Sequence, residues 1–236
     1  NTDIPGYPHF NINELFPEDY YLELVENLKS MDHNVFSKLS KNYQNRYIYD
    51  LNCGENINRT RQSFEDLKSN EIKFWTKFQE TFLVKDDFKK AFYKKYEDYI
   101  DFPNCEEIGQ PACRIQRDFK GYSIGPHRDR LDKIFSVMIY APTVDDLTEE
   151  LIDDHGTVIC IPKFNDPETV PQKIGHVGTG TDRHFLFEDV EIVKTAPSLP
   201  NSLYSWAVAD RSYHGVTPLK SDKVRSTIAY FVKIPK

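Results

Sequence analysis

Cysteine is scarce in this chain: four occur in 236 residues, Cys53, Cys105, Cys113 and Cys160, and no two form a CxxC pair. Neither a disulfide framework nor a cysteine-based zinc site is therefore written into the sequence. Free thiols of this kind suit a reducing compartment, and a cytoplasmic location is the expectation. Surplus positive charge is also lacking, since the formal net charge is -7. The one lysine-rich stretch, KDDFKKAFYKKYED at 85–98, is interrupted by acids. A protein that tracks phosphates shows a basic face. These lysines read as a solvated helix face instead, and no nucleic-acid partner is expected. No apolar run approaches the roughly 18 residues of a membrane span, so no membrane partner is expected either. Internal repeats and low-complexity linkers are missing, and nothing in the composition speaks to oligomeric state.

Aromatic residues, by contrast, are plentiful, with 14 Tyr and 16 Phe; they suit strands and pocket walls. With 39% hydrophobic residues this is not a disordered chain, and its length suffices to bury a core without staples. It reads as one domain over 1–236, with a mainly helical support over 1–105 and a β-rich core over 110–233. FPEDYYLELVENLKSM (16–31) has Pro17 and acids in its first turn and a stripe of Tyr21, Leu24, Val25 and Leu28, the spacing of an amphipathic helix. SNEIKFWTKFQETFL (69–83) opens on Ser69 or Asn70 as a cap, and Phe74, Trp75, Phe78 and Phe82 recur at helical spacing. DDFKKAFYKKYEDYI (86–100) repeats the theme with Phe88, Phe92, Tyr96 and Tyr99. Such stripes pack helices onto a core. Beyond residue 110 the period becomes two: ACRIQRDF, KIFSVMIYA, GTVICIP, SLYSWAVA and RSTIAYFVKI read as strands. Short strands after helices predict a helical layer on an antiparallel barrel or sandwich. Between them lies a long loop from Lys163 to Glu188, in which Gly175, Gly178 and Gly180 would let a lid move.

The chemistry begins at GPHRD. His127 and Asp129 stand at i and i+2, which in extended backbone project to one face. Alone such a pair is a weak signal. Further on, His214 follows SLYSWAVA and sits beside Gly215, and Arg225 opens the last strand. Two imidazoles and one carboxylate on one face of a ferrous ion leave positions open for a chelating co-substrate and O2. Arg225 and Thr227 share a face by alternation. A guanidinium holds a carboxylate through two parallel hydrogen bonds, and the threonine hydroxyl can add a third, so this pair suits the distal carboxylate of 2-oxoglutarate. In KIFSVMIY, Ser136, Met138 and Tyr140 form one face, and the Tyr140 phenol is a candidate contact to the co-substrate.

With that HxD…H…R pattern, and with GYSIGPHRD and PNSLYSWAVADRSYHGV around it, residues 110 to 233 resemble the Fe(II)/2-oxoglutarate-dependent dioxygenases, most closely their prolyl-hydroxylase-like members. The resemblance implies a mixed α/β (α+β) fold, a double-stranded β-helix (jelly-roll) core with an N-terminal helical support layer. It implies His127, Asp129 and His214 as metal ligands, with Arg225 completing the catalytic set. Arg225 and Thr227 would anchor the 2-oxoglutarate carboxylate, with Tyr140 beside them. Fe(II), 2-oxoglutarate and O2 would be the cofactor and co-substrates. The implied reaction is hydroxylation of a C–H bond of a small molecule or a single protein side chain, with 2-oxoglutarate decarboxylated to succinate.

Other chemistry fits less of the sequence. An iron halogenase on this fold would lack the carboxylate ligand, and Asp129 fills that place. A non-catalytic cupin-like module would lack a ligand or the anchor. A zinc hydrolase also uses two histidines and a carboxylate but leaves Arg225 and Thr227 without a role. Arg114, Gln116, Arg117 and Tyr122 are candidate pocket polars whose inward face alternation does not decide. His155 adjoins a strand near the site, His176 and His184 fall in the long loop where solvent exposure is expected, and His9 and His33 have no evident partners.

Overall fold

The structure, a computed structural model, describes residues 4, 6–38, 44–51, 64–100, 109, 111–142, 148–173 and 183–234. The chain opens with strand β1 (His9–Asn13) and helix α1 (Glu18–Ser30). Pro17 precedes the helix, where a missing N–H costs nothing, and Glu18 and Asp19 lie at the positive end of its dipole. The expected stripe of Tyr21, Leu24, Val25 and Leu28 is its buried face. Two strands follow, β2 (Ser37–Lys38) and β3 (Arg46–Asp50). Helix α2 (Ser69–Gln79) runs into a π turn at Glu80–Val84. Its start differs from expectation: Ser69 is already helical, and the Glu71 carboxylate accepts the Lys68 N–H at 2.9 Å. A first-turn carboxylate thus does the work assigned to a hydroxyl or amide cap. Helix α3 (Asp87–Tyr96) comes next.

The second half supplies β4 (Pro111–Asp118), β5 (Ile124–His127), β6 (Lys133–Tyr140), a short helix α4 (Glu149–Asp154), β7 (Thr157–Pro162), β8 (Val190–Ala196), β9 (Ser202–Ala207), β10 (Tyr213–Val216) and β11 (Arg225–Lys233). They form two antiparallel sheets, one in the order β1-β9-β6-β11-β4-β3-β2 and one in the order β5-β10-β7-β8. This is the expected mixed α/β architecture with a jelly-roll core. The N-terminal segment is not only helical, however: β1, β2 and β3 extend the large sheet at both ends. β1 and β2 are short and partly exposed, so their local pattern is weak.

Alternation gives the large sheet two distinct faces. Ile115, Phe135, Val137, Ile139, Ile228, Tyr230 and Val232 point into a core shared with Leu24, Leu28, Phe74, Trp75, Phe78, Phe92 and Tyr96 of the helices. The opposite face, with Gln116, Asp118, Ser136, Tyr140, Arg225 and Thr227, is buried yet polar, and it turns toward the small sheet. Buried polar groups must be satisfied, so this face marks the site. Among the described residues, no helix is long and apolar enough to cross a membrane. Cys113 and Cys160 are free buried thiols, whereas Cys53 and Cys105 lie outside the described residues.

Phe135 stitches the layers together: its ring lies 5.8 Å from Phe92 and 6.1 Å from Tyr96. Phe135→Ala should cost about 3–5 kcal/mol in urea unfolding, the range for a buried phenylalanine. Leu22→Ala, at a residue 52% exposed on α1, should stay within about 0.5 kcal/mol.

Candidate metal centre

Strand pairing brings the two histidines together. β5 and β10 run antiparallel with His127 opposite His214, and directly opposed residues project to the same face. The imidazole centroids lie 4.5 Å apart. Close backbone approach here demands glycine: a Cβ on Gly215 would sit 2.7 Å from the Ile124 carbonyl oxygen, and one on Gly125 would sit 2.4 Å from that of Phe185. Asp129 follows just beyond the end of β5. One ligand atom from each of His127, Asp129 and His214 lies within 4.8 Å of the others.

The hydrogen bonds leave the right atoms available. His127 Nδ1 meets the Gly125 carbonyl at 2.9 Å and His214 Nδ1 meets the Ser212 carbonyl at 3.0 Å. A carbonyl only accepts, so each Nδ1 carries the proton and each Nε2 presents a lone pair, the usual second contact of a metal-bound histidine. Burial first, and neighbouring charges second, hold the His127 imidazole well below the ordinary histidine range. Burial likewise lowers that of His214, with Asp129 opposing. Both rings are thus held neutral, as ligands must be. Burial disfavours the Asp129 charge, but the Lys133 ammonium beside it outweighs that, and the carboxyl falls far below its ordinary range.

Three donors fix Asp129. Lys133 Nζ donates to Oδ1 at 2.5 Å, while Ser136 Oγ and Trp206 Nε1 donate to Oδ2 at 2.8 and 3.2 Å. A carboxylate offers about four lone-pair sites, so one remains for a metal. Trp206 also packs on His214, with centroids 4.3 Å apart, and Tyr204 stacks on Trp206 at 5.0 Å. The donor set of two imidazole nitrogens and one carboxylate oxygen fits a divalent first-row metal with open positions.

Arg225 and its neighbours lie on the same polar face. Arg225 is 1% exposed. Its Nε donates to the His155 carbonyl at 2.6 Å, its Nη1 to Asp118 Oδ2 at 2.7 Å, and its Nη2 reaches Thr157 Oγ1 at 3.4 Å. Asp118 also takes a bidentate grip from Arg46, at 2.6 and 2.7 Å. The Tyr140 hydroxyl donates to Thr157 Oγ1 at 2.7 Å, and its ring lies 5.7 Å from the Arg225 guanidinium. Thr227 donates to Gln116 Oε1 at 3.2 Å. Along the site face of β6, Ser136 touches Asp129 and Tyr140 touches the Arg225 cluster, with Met138 between them.

The other sequence candidates separate. Gln116 is on this face. Arg117 points the opposite way, donating to the Leu28 and Met31 carbonyls at 2.6 and 3.0 Å. Arg114 lies over Phe231, and Tyr122 under Arg46. His155 contributes through its backbone, as above. His33 packs edge-on against Tyr47 and Phe119 in the support layer. His176, Gly175, Gly178 and Gly180 of the proposed lid lie outside the described residues.

His184 corrects the expectation of solvent exposure. It forms a β-bridge with His127, and its half-buried ring stacks on that imidazole at 4.4 Å and 25°. Phe185 N–H donates to the Pro126 carbonyl at 2.8 Å, so this segment lies along β5. Arg183 fastens it to the turn at Pro167–Thr169, donating to the Pro167 carbonyl at 2.7 Å and to that of Val170. Sequence reasoning also missed Asp118, Arg46, Lys133, Ser136 and Trp206. The one available signal was alternation, which places Ser136 on the Tyr140 face.

No protein-family model matches the chain, and neither does any curated protein sequence. Solved structures do resemble it. A prolyl-4-hydroxylase from Pseudomonas putida superposes with a TM-score of 0.58 at 11% identity, covering 97% of this chain and 94% of that one. A prolyl hydroxylase from Trichoplax adhaerens, solved with a hypoxia inducible factor peptide fragment, gives 0.55 at 12% identity, covering 96% and 84%. The dioxygenase for auxin oxidation 1 from Arabidopsis thaliana, solved with 2-oxoglutarate, gives 0.55 at 11% identity, covering 98% and 84%. The chain therefore has the fold of the Fe(II)/2-oxoglutarate oxygenases, the double-stranded β-helix.

Two substitutions probe the site without removing a ligand. Asp118→Asn should cost about 3–5 kcal/mol in chemical denaturation, because two buried guanidiniums lose their counter-charge. His184→Ala should weaken Co(II) or Ni(II) binding about ten-fold, the lower end for residues that orient a ligand. His184→Phe, which restores a stacking ring, should recover most of that loss in calorimetry.

Proposed function

We propose that this chain is an Fe(II)/2-oxoglutarate-dependent oxygenase that hydroxylates a C–H bond of a small molecule or a single protein side chain, with 2-oxoglutarate decarboxylated to succinate. The observation that carries the reading is the convergence of His127, Asp129 and His214 through two free Nε2 atoms and one carboxylate, on the same buried face as a guanidinium. His127, Asp129 and His214 would hold the metal. A bound ferrous ion would supply O2 activation coupled to oxidation of the keto acid.

Arg225 supports the co-substrate assignment by charge. Asp118 is one anion between two guanidiniums, so this triplet carries an excess positive charge in a buried place. A second carboxylate would balance it. Arg225 has five N–H donors, and its contacts to His155, Asp118 and Thr157 leave part of the fork to bind one. Tyr140 and Thr157 flank the same spot. The Tyr140 phenol is buried, which raises its pKa, with Arg225 opposing, so it serves as a neutral donor. Thr227 holds Gln116 and completes the floor. The reaction is assigned to hydroxylation rather than halogenation because Asp129 occupies the ligand position a halide would need.

The peptide bound in the Trichoplax adhaerens structure and the auxin oxidation for which the Arabidopsis thaliana protein is named support both substrate classes. Titrating the protein anaerobically with Fe(II) and then 2-oxoglutarate should give a weak visible charge-transfer band, absent in His214→Ala. Arg225→Ala should weaken 2-oxoglutarate binding by about 2–5 kcal/mol, the cost of losing a buried charge-assisted contact, while metal affinity stays within a few-fold. Equal 2-oxoglutarate affinity in the two proteins would move the anchor elsewhere. Product formed under ¹⁸O₂ should carry one labelled oxygen.

A further inference from the structure

We infer that the segment before β1 belongs to the metal centre, and that Tyr7 is a positioning residue for His214 and Asp129, given the proposal that those two bind the metal. Tyr7 is fully buried, as is Tyr204 of β9. The Tyr204 hydroxyl donates to the Tyr7 hydroxyl at 2.6 Å. Burial pushes both phenols well above the usual tyrosine range, so the pair stays protonated and neutral. The Tyr204 ring stacks on Trp206 with centroids 5.0 Å apart, and Trp206 packs on His214 at 4.3 Å. Trp206 Nε1 also donates to Asp129 Oδ2 at 3.2 Å. One line of contacts therefore runs from Tyr7 to two of the proposed ligands. Tyr7 itself is held in place. Its N–H donates to the Ile4 carbonyl at 3.1 Å, and its carbonyl accepts from His9 Nδ1 at 2.8 Å. The next carbonyl, that of Pro8, accepts the Ala207 N–H at 3.0 Å, and His9 stands opposite Trp206 in the pairing of β1 with β9.

The same segment reaches His214 by a second route. Gly6 turns the chain at a φ of 74° and lies against Arg211, whose Cδ would sit 3.4 Å from a Cβ there. Arg211 directly precedes Ser212, whose carbonyl orients the His214 ring through Nδ1. Both routes end on one imidazole. The hydroxyl pair is the point at which this coupling can be broken. A buried hydroxyl that loses its partner carries its full desolvation cost. Tyr7→Phe puts the Tyr204 hydroxyl in that position. Tyr204 relieves the cost by shifting, and close packing passes the shift to Trp206. Removing both hydroxyls leaves two apolar rings of the same shape, which is nearly neutral. A Tyr7 that merely filled the core would give another pattern, with the two substitutions adding up rather than cancelling.

The test uses the full chain loaded with Co(II), whose visible ligand-field bands report the geometry of the ligands. Tyr7→Phe should shift those bands and weaken Co(II) binding about five-fold, less than the roughly ten-fold or more expected at a residue that touches a ligand. The double variant Tyr7→Phe/Tyr204→Phe should return the bands to their wild-type positions and the affinity to within about two-fold of wild type. Tyr21→Phe is the control. It removes a hydroxyl bond far from this line, from Tyr21 on α1 to the Pro142 carbonyl at 2.5 Å. Whatever it costs in urea unfolding, it should leave the bands and the affinity unchanged. Wild-type bands and affinity in Tyr7→Phe, an equal shift in Tyr21→Phe, or a double variant no closer to wild type than Tyr7→Phe would overturn the assignment. Failure of the wild type to bind Co(II) would remove the metal centre itself, and the role of Tyr7 with it.

Discussion

Asp118 holds two guanidiniums at once, and the geometry of the polar face hangs on it. Arg46 reaches it from β3 and Arg225 from β11, while Asp118 itself lies on β4. Arg225 then extends across to the small sheet, where its Nε meets the His155 carbonyl just before β7. One carboxylate thus ties three strands of the large sheet to the first residues of a strand in the other. Burying ions costs several kcal/mol each, and the mutual attraction only offsets that. The cluster is therefore better read as a device for orientation than as a source of stability. It holds a guanidinium rigidly between the sheets with part of its fork turned away from Asp118.

The metal ligands are fixed by different means. Their spacing comes from backbone register, with His127 opposite His214, and from two glycines that let strands and a loop approach. Each imidazole is oriented by a carbonyl two residues back along its own chain, so ring position follows backbone position. Asp129, beyond the end of β5, lacks that support and instead takes three side-chain donors from Lys133, Ser136 and Trp206. A site built on paired strands with locked side chains is preorganised before any ligand arrives. His184 adds a ring against the exposed side of His127, and Arg183 anchors the segment that carries it.

Much of this could be read in the sequence, for identifiable reasons. His127, Asp129, His214 and Arg225 are chemically distinctive residue types, and β4, β6, β7, β9 and β11 show clear period-two patterns, whereas the short β5 and β10 that carry the two histidines do not. The helices were equally legible through Tyr21, Leu24, Phe74, Trp75 and Phe92. β1, with polar Asn11 and Asn13, and the two-residue β2 are too short and polar to announce themselves, and β8 is an exposed edge with Glu191, Ile192 and Val193 facing out. Asp118 was invisible as a partner because Arg46 lies 72 residues and Arg225 lies 107 residues away in sequence. Pairing across such distances leaves no local trace. Lys133 looked like an ordinary strand-opening residue, and its role appears only when the turn after β5 brings Asp129 back beside it.

Arg225 shows why residue type, not charge alone, governs the polar face. A lysine there could meet Asp118, but its single ammonium could not also reach the His155 carbonyl and Thr157. The planar guanidinium reaches all three because its donors point in fixed, diverging directions. That divergence lets one side chain be structural on two sides and still offer donors on another. The same reasoning explains why Tyr140 and Thr157 adjoin it. Their hydroxyls accept or donate as required, so they can satisfy each other in one state and turn toward a bound carboxylate in another. The arginine, tied on two sides, keeps its place in both.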